Sequence, residues 1–434
     1  MDRRIFVGMF GALSHPAHGA GFAVTDAPGM GYAYAGATAR ADNAGTVFFN
    51  PAGMTWIDNT QVTAEVRALK PSFVFTDEGS SYPLAGGMPV SGDNGGDAAA
   101  GLTFIPNLYC THGLTKNVAI GLGIFFPYGL GSEYDADWVG RYHSISSSLT
   151  TMNINPSLAW RVNDHLSLGV GVSAERAEAK MVNAIDFGTV LLASGMAPTA
   201  IPQSHDGEVE IIGNDWAYGY NAGLIYALSP AQRFGISFRS RIDHALEGDA
   251  TFDIPSVALP LQEMNMFVNT DGRAHLSVPA MVSVGYYHKL GTSLALLSDV
   301  VWTQWSCFDE LRVEYDSNQE DTVTSEAWED SWRVSIGMDH QLNSQCNVCL
   351  GTAYDVSPVP DAEHRSPRIP DSDRIWVTGG AGFRVSKHLK WSCSYLHAFI
   401  SDGAVDRVGT TGDNLTGYYD GQADLFNISL EWDM

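Results

Sequence analysis

From about residue 60 onward, segments with a two-residue apolar/polar alternation are joined by connections that are short, then long, then short again. The short ones run Thr111 to Asn117, Arg161 to Asp164, Leu228 to Arg233, Lys289 to Ser293, Gln341 to Gln345 and Val385 to His388. Each is a handful of polar or turn-forming residues, as hairpins require. The long ones fall near residues 76–102, 127–147, 183–213, 249–272, 307–331, 356–373 and 402–421, and are rich in Gly, Pro, Asp, Asn and Ser. Connections of that length and polarity have no place in a compact core. A chain that weaves up and down through a membrane, with tight turns at one end and large loops at the other, produces this rhythm. The fold class it implies is all-β: a transmembrane antiparallel β-barrel of about fourteen strands, an even number that returns the C-terminus to the side of the short turns.

The alternation is cleanest beside the clearest turns. Val118, Ile120, Leu122, Ile124 and Phe126 share one face, opposite Ala119, Gly121 and Gly123. Leu166, Leu168, Val170 and Val172 alternate with Ser167, Gly169, Gly171 and Ser173, and Phe234, Ile236 and Phe238 with Gly235, Ser237 and Arg239. Phe426, Ile428, Leu430, Trp432 and Met434 stand against Asn427, Ser429, Glu431 and Asp433. In water such apolar faces pack a sandwich core, whereas in a bilayer they meet lipid. Two features favour lipid. Tyr109, Trp160, Tyr226, Tyr286, Tyr287, Trp302, Trp305, Trp376 and Trp391 fall near segment ends, where an interfacial girdle needs them. Closure also removes the exposed edges that an open sheet of this size leaves.

Other classes are disfavoured by composition. No run approaches the roughly 18 apolar residues of a membrane helix. A net charge of -25 argues against nucleic acid, which wants clustered Lys and Arg. The acidic residues concentrate in connections, as with Asp309, Glu310, Glu314, Asp316, Glu320, Asp321, Glu326, Glu329 and Asp330. Such a run reads as a solvated loop or as a site for divalent-cation bridging to phosphorylated outer-leaflet lipid. Asp2, Arg3 and Arg4, the apolar run Ile5 to Leu13, and small residues at Ala17, Gly19 and Ala20 read as a secretory signal over residues 1–20. Cys346 and Cys349 form a CxxC, but on a strand positions three apart face opposite sides, and no second pair or clustered histidine completes a zinc site. No metal or cofactor is expected. The only local hint of catalysis is His143 beside Ser144, and adjacent strand residues diverge, so an enzyme is not expected.

Residues 21–56 break the pattern. GFAVTDAPGMGYAYAGATARADNAGTVFFNPAGM is dominated by Gly and Ala and lacks two-residue alternation. Small residues pack closely in confined space, so this segment reads as a plug inside the lumen, or else as a flexible periplasmic leader, with the barrel spanning 57–434.

Here the chain resembles the FadL/TodX family of Gram-negative outer-membrane transporters for long-chain fatty acids and other hydrophobic compounds. The resemblance rests on this segment with its Asn50-Pro51-Ala52 motif, on NDWAYGYNAGLIYAL at 214–228, RFGISFRSRI at 233–242, WTQWSCF at 302–308 and SPVPDAEHRSPRIPDSDRIW at 357–376. It implies a monomeric barrel, set in outer-membrane lipid and lipopolysaccharide, whose N-terminal hatch plugs the lumen. It also implies ligand capture at the extracellular loops, transfer to a lumenal pocket, and lateral exit at a kinked third strand, where this chain has Pro127 and Gly129. Phe22 matches the hatch-tip aromatic that meets ligand. At the positions of the family's basic pocket residues, an approximate alignment places Glu178 and Glu329, with Arg176 and Arg333 close by.

The loops 183–213 and 249–272 carry many apolar side chains for exposed connections. Among them are Ile185, Phe187, Val190, Leu191, Leu192, Met196, Ile254, Val257, Leu259, Leu261, Met264, Met266 and Phe267. They suggest a hydrophobic groove, with Phe187, Leu191, Leu192, Met264 and Phe267 as candidate capture residues, or else loops that pack on themselves. A fatty-acid tail gains about 0.8 kcal/mol per CH2 on leaving water, so transport through apolar sites of graded affinity is expected rather than a watery pore. Uptake of monoaromatic or alkane hydrocarbons is the alternative, and an adhesin is the alternative of another class.

Overall fold

The computed structural model describes residues 21–24, 28–99, 101–197 and 199–434; the secretory-signal reading of residues 1–20 lies outside them. The sheet is one antiparallel ladder closed on itself. Its strands are β1 (Thr60–Asp77), β2 (Thr103–Gly113), β3 (Val118–Phe125, resuming at Gly129–Glu133), β4 (Ser146–Arg161) and β5 (Leu166–Asp186). Next come β6 (Asp206–Ser229), β7 (Gln232–Arg239, resuming at Ile242–Asp253), β8 (Thr270–Val278, resuming at Met281–Leu290) and β9 (Leu294–Thr303, resuming at Glu310–Tyr315). The last are β10 (Ser331–Gln341), β11 (Cys346–Asp355), β12 (Arg374–Arg384), β13 (Leu389–Val408) and β14 (Asn414–Asp433). Each pairs with the next, and β14 pairs with β1 from Gln61↔Asp433 to Asp77↔Gly417, so the barrel has fourteen strands.

The barrel is inside-out relative to a water-soluble one. On β14, Phe426, Ile428, Leu430 and Trp432 are 48–60% exposed on the outer face, while Leu425, Asn427, Ser429 and Glu431 are at most 6% exposed on the inner. Only a lipid solvent rewards that arrangement. All six short connections are tight hairpins at one end.

Three readings of the sequence need correction. The connection expected over 402–421 is short: β13 and β14 run on to Val408↔Asn414, leaving residues 409–413 as the turn. Its Gly, Thr and Asp residues resemble a loop because this hairpin rises into water, where Asp402, Asp406 and Asp420 occupy its exposed face. Phe126 leaves the outward face because β3 breaks after Phe125; it is buried. Tyr109, Trp305 and Trp376 are buried inside rather than forming a girdle, unlike the exposed Trp160 and Tyr226. For Trp376 the phase of the strand decides, since Ile375 and Val377 beside it face lipid.

Residues 28–56 pack against the inner faces of the wall as short helical turns, Met30–Tyr32, Ala37–Arg40, Thr46–Phe49 and Pro51–Trp56. The contact is so close that the wall needs glycine. A Cβ on Gly223 of β6 would lie 2.0 Å from Asn50 Oδ1, and one on Gly235 of β7 would lie 2.0 Å from the Thr38 carbonyl oxygen. Asn50 is fully buried; its Nδ2 donates to the Thr38 oxygen (2.8 Å) and the Leu224 oxygen of β6 (3.0 Å), and its Oδ1 accepts from Ala52 N (3.1 Å). Pro51 begins the last turn, where its missing N–H costs no hydrogen bond. Below, Arg40 pairs with Asp42 and Asp339, tying the segment to β10.

Candidate ligand site: a lumenal pocket and a cavity at the mouth

The break in β3 organises the interior. Pro127 has no N–H and cannot continue the ladder. Above it, Gly129–Glu133 pairs with β4 alone, while β2 meets β3 only over Leu108–Gly113. Residues Gly21–Val24 fill the vacant edge. Val24 N donates to the Pro127 oxygen (2.8 Å), and Gly129 N donates to the Phe22 oxygen (3.0 Å). The other edge of the break stays tied to β4 through Thr151 N and the Tyr128 oxygen (3.0 Å). Pro127 and Gly129 thus lie where the wall is interrupted and the N-terminal tip docks.

That docking carries Phe22 into an aromatic cage. Its ring centroid lies 5.9 Å from Tyr128, 4.7 Å from Trp305, 5.6 Å from Phe308 and 5.8 Å from Trp328, mostly edge to face. Beneath the cage is a cavity of about 60 Å³ lined by Ala23, Val24, Tyr34, Phe48, Phe49, Trp305 and four charged side chains: Arg239, Arg333, Asp299 and Asp355. Arg333 lies over the rings of Tyr34 (5.8 Å) and Trp376 (5.1 Å), and Arg239 over Phe48 (5.0 Å) and Phe125 (5.2 Å). Asp299 accepts from Thr38 N (3.1 Å) and Oγ1 (3.2 Å), joining β9 to the N-terminal segment. The pocket offers apolar rings and two guanidinium groups within one small volume.

Of the two arginines expected here, only Arg333 reaches it. Arg176 shares the outer face of β5 with Leu168, Val170 and Val172, and pairs with Glu178 at 3.4 Å on that same face. The regular alternation of the strand puts both outside the lumen. Glu329 lies exposed in the connection before β10. Arg239 occupies the lumen instead. Its signal was available, since it is out of phase with the lipid-facing Phe234 and Ile236.

At the mouth, the loops after β5 and β7 pack together through their own short helices, Phe187–Ala193 and Leu259–Glu263. Phe187 and Phe267 meet at 4.9 Å, Phe252 and Phe267 at 5.8 Å, with Leu191, Leu261 and Val209 around them. Asp186 holds the first loop by accepting from Thr189 N (3.0 Å), Gln203 N (2.9 Å) and Tyr82 OH (2.8 Å). A cavity of about 330 Å³ opens between the loops, lined by Ile185, Val190, Phe252, Met266, Phe267 and Val313 among others. Phe187 and Leu191 are buried in this cluster, whereas Leu192 and Met264 are exposed on its outer surface.

A closed, lipid-facing barrel with apolar loops at its mouth and a charged, ring-lined pocket inside defines an outer-membrane transport protein. The chain belongs to the family described as outer membrane protein transport protein (OMPP1/FadL/TodX), whose model matches residues 9–433. It is 29% identical over 397 residues to a long-chain fatty acid transport protein of Salmonella typhi, covering 89% of each chain. It is 26% identical over 434 residues to outer membrane protein P1 of Haemophilus influenzae, covering 93% of this chain and 92% of the other. In fold it resembles a Pseudomonas aeruginosa FadL homologue, with a TM-score of 0.89 at 23% identity and coverage of 95% and 100%. The Pseudomonas putida toluene transporter TodX follows the same fold with a TM-score of 0.70 at 16% identity, covering 90% of this chain and 94% of that one.

Proposed function

We propose that the protein carries long-chain fatty acids or similar amphiphiles across the outer membrane by facilitated diffusion, with residues 21–56 acting as the hatch. The observation that carries this reading is the pairing of an apolar cavity at the mouth with a second, ring-lined pocket holding Arg239 and Arg333. Apolar surface draws a tail out of water, and guanidinium groups match a carboxylate in shape and charge. Capture falls to Phe267 in the cavity wall, with Phe187 and Leu191 packed behind it and Leu192 and Met264 at the entrance. Phe22 and Arg333 belong to the lumenal pocket, and Asn50, Pro51 and Ala52 anchor the hatch. Exit runs sideways at Pro127–Gly129 once the backbone of Gly21–Val24 leaves the interrupted wall. The barrel works as a monomer, its outer face in lipid and its loops among lipopolysaccharide.

A monoaromatic hydrocarbon is the second reading, favoured by the four rings packed around Phe22. The relative from Salmonella typhi is named for fatty acids and the P. putida structure for toluene. Uptake of radiolabelled oleate and toluene, compared between a deletion strain and the same strain carrying the gene, separates the two. Equal rates in both strains for both compounds exclude the proposal. Mass spectrometry of lipid retained by the purified protein provides an independent readout.

A further inference from the structure

We propose that Arg368 receives the anionic head of a single-chain carboxylate amphiphile at the mouth, while the tail occupies the apolar cavity between the loops after β5 and β7. This rests on the fatty-acid reading above and adds a head-group site to it. The mouth cavity, apolar toward the loop helices and bordered by Glu320 and Asp321 on the other side, adjoins a second, polar one of about 410 Å³ whose lining includes His364, Arg407, Glu363 and Asp406. The two share six lining side chains, Tyr142, Asn183, Thr322, Thr324, Thr410 and Arg368, and Arg368 is the only cation among them. The guanidinium therefore stands at the junction where a tail ends and a head begins.

The bonding of Arg368 is incomplete in a telling way. Its guanidinium donates to Ser147 Oγ (3.0 Å) and Asn183 Oδ1 (3.3 Å), both neutral acceptors. Among the described residues no carboxylate lies within ion-pair distance of it, although acidic residues outnumber basic ones by 49 to 24 in the chain. Its neighbours differ: Arg407 has Glu326 (3.5 Å), Arg312 has Glu310 (2.7 Å) and Asp321 (2.9 Å), and Arg141 has Asp206 (2.9 Å). Desolvation draws the Arg368 pKa down to about 10, against the pull of Glu326 from beyond ion-pair distance, so the half-buried guanidinium remains charged at neutral pH.

The position is also built rather than incidental. Tyr134 OH donates to the Pro367 oxygen (2.7 Å) and Arg368 N to Ser366 Oγ (3.2 Å), fixing the backbone on either side. The next residue, Ile369, packs in the same apolar cluster as Phe22, and Asp371 Oδ2 accepts from Gly21 N (3.1 Å). One connection thus presents Arg368 to the mouth and touches the N-terminal tip from the other side. A head held at Arg368 is within one residue of the wall of the Phe22 cage.

The test uses the full-length protein in amphipol with radiolabelled oleate and methyl oleate, which share a tail and differ in head charge. Arg368→Met is expected to weaken oleate binding by about tenfold or more, the worth of a charge-assisted hydrogen bond, and to leave methyl oleate within about twofold. Arg368→Lys, which keeps the charge and loses the fork, should recover part of the difference. Equal loss for both ligands marks a structural role and overturns the inference, as does unchanged oleate binding. If the wild-type protein binds neither ligand, the proposed function itself fails.

Discussion

The lumenal pocket and the mouth cavity are both apolar sites with arginine, yet they are built on opposite terms. The lumenal one is about 60 Å³, bounded on one side by Ala23 and Val24, whose segment docks in the break of β3. Its arginines are engaged face-on by rings. The mouth cavity is about 330 Å³, formed by loop residues, with Leu192 and Met264 still in solvent. Its arginine has only neutral partners in hydrogen-bond contact. The difference separates two tasks. Under the proposed function, the wide site with exposed apolar rims would collect ligand from water, and the tight one would accept it only when packed aromatic side chains give way.

The sharpest way to break that distinction is to empty the cage. Phe22→Ala deletes a fully buried ring, a loss of about 3–5 kcal/mol in local packing. It should free Gly21–Val24 from the β3 break, seen as lost hydrogen-exchange protection at Val24 and Gly129. Sensitivity of the cells to bulky antibiotics should rise with it. Unaltered exchange at both amides would mean that the tip is held by its backbone alone.

The next largest effect should come from the wall. Gly235→Val drives a side chain into the Thr38 carbonyl, an overpacking cost of about 1–3 kcal/mol. Because Phe234 and Ile236 still face lipid, the barrel should assemble normally while residues 36–56 lose exchange protection. A variant that fails to insert, assayed by heat-modifiable gel mobility, would place the glycine requirement in folding instead.

These two positions also show what was legible beforehand. The wall could be read because lipid imposes a strict outward alternation, visible in Phe426 to Trp432 and in Leu168 to Val172. The same alternation separates Arg239, inside, from Arg176, outside, so a comparison of phase within each strand would have chosen between them. Aromatic identity was a weaker guide: Trp160 and Trp376 look alike in sequence and face opposite solvents. The hydrophilic rise of β13 and β14 defeated composition, since a strand in water above a membrane carries no outward apolar face, only inner side chains such as Val405, Leu415 and Tyr419. Arg368, within the 357–376 motif, lies outside any strand and carries no such phase signal. Its significance depends on Ser147, Asn183 and the loop helices, which only tertiary folding brings together.

At the mouth, Leu192→Asp combined with Met264→Asp tests capture without disturbing the core, since both side chains are exposed. Removing two apolar contacts from the entrance should raise the oleate concentration for half-maximal uptake by about tenfold, near 1.4 kcal/mol of lost burial. Maximal rate and antibiotic sensitivity should be unchanged, in contrast to Phe22→Ala. A fall in maximal rate instead would show that the two sites are not separable.

The smallest effect concerns pH. Burial of Glu326 raises its pKa to about 7, against the opposing pull of Arg407, Arg368 and His364. Because the folded value lies above the unfolded one, the neutral acid is the favoured form. Its contribution to loop stability is present at low pH and is lost as pH rises through about 7. Ionisation also places a negative charge near Arg368 that competes with an arriving anion. Binding of an alkyl sulfonate, which does not titrate in this range, should therefore weaken by about two- to threefold between pH 6 and 8.5, the scale of a partly screened charge. Glu326→Gln should flatten that slope. His364, paired with Asp361 at 2.7 Å, and His143, 2.9 Å from Asp413, face the same polar cavity, so the difference between wild type and variant is the quantity that reads Glu326. A slope that survives in Glu326→Gln would place the pH response elsewhere and leave Arg368 independent of its acidic neighbour.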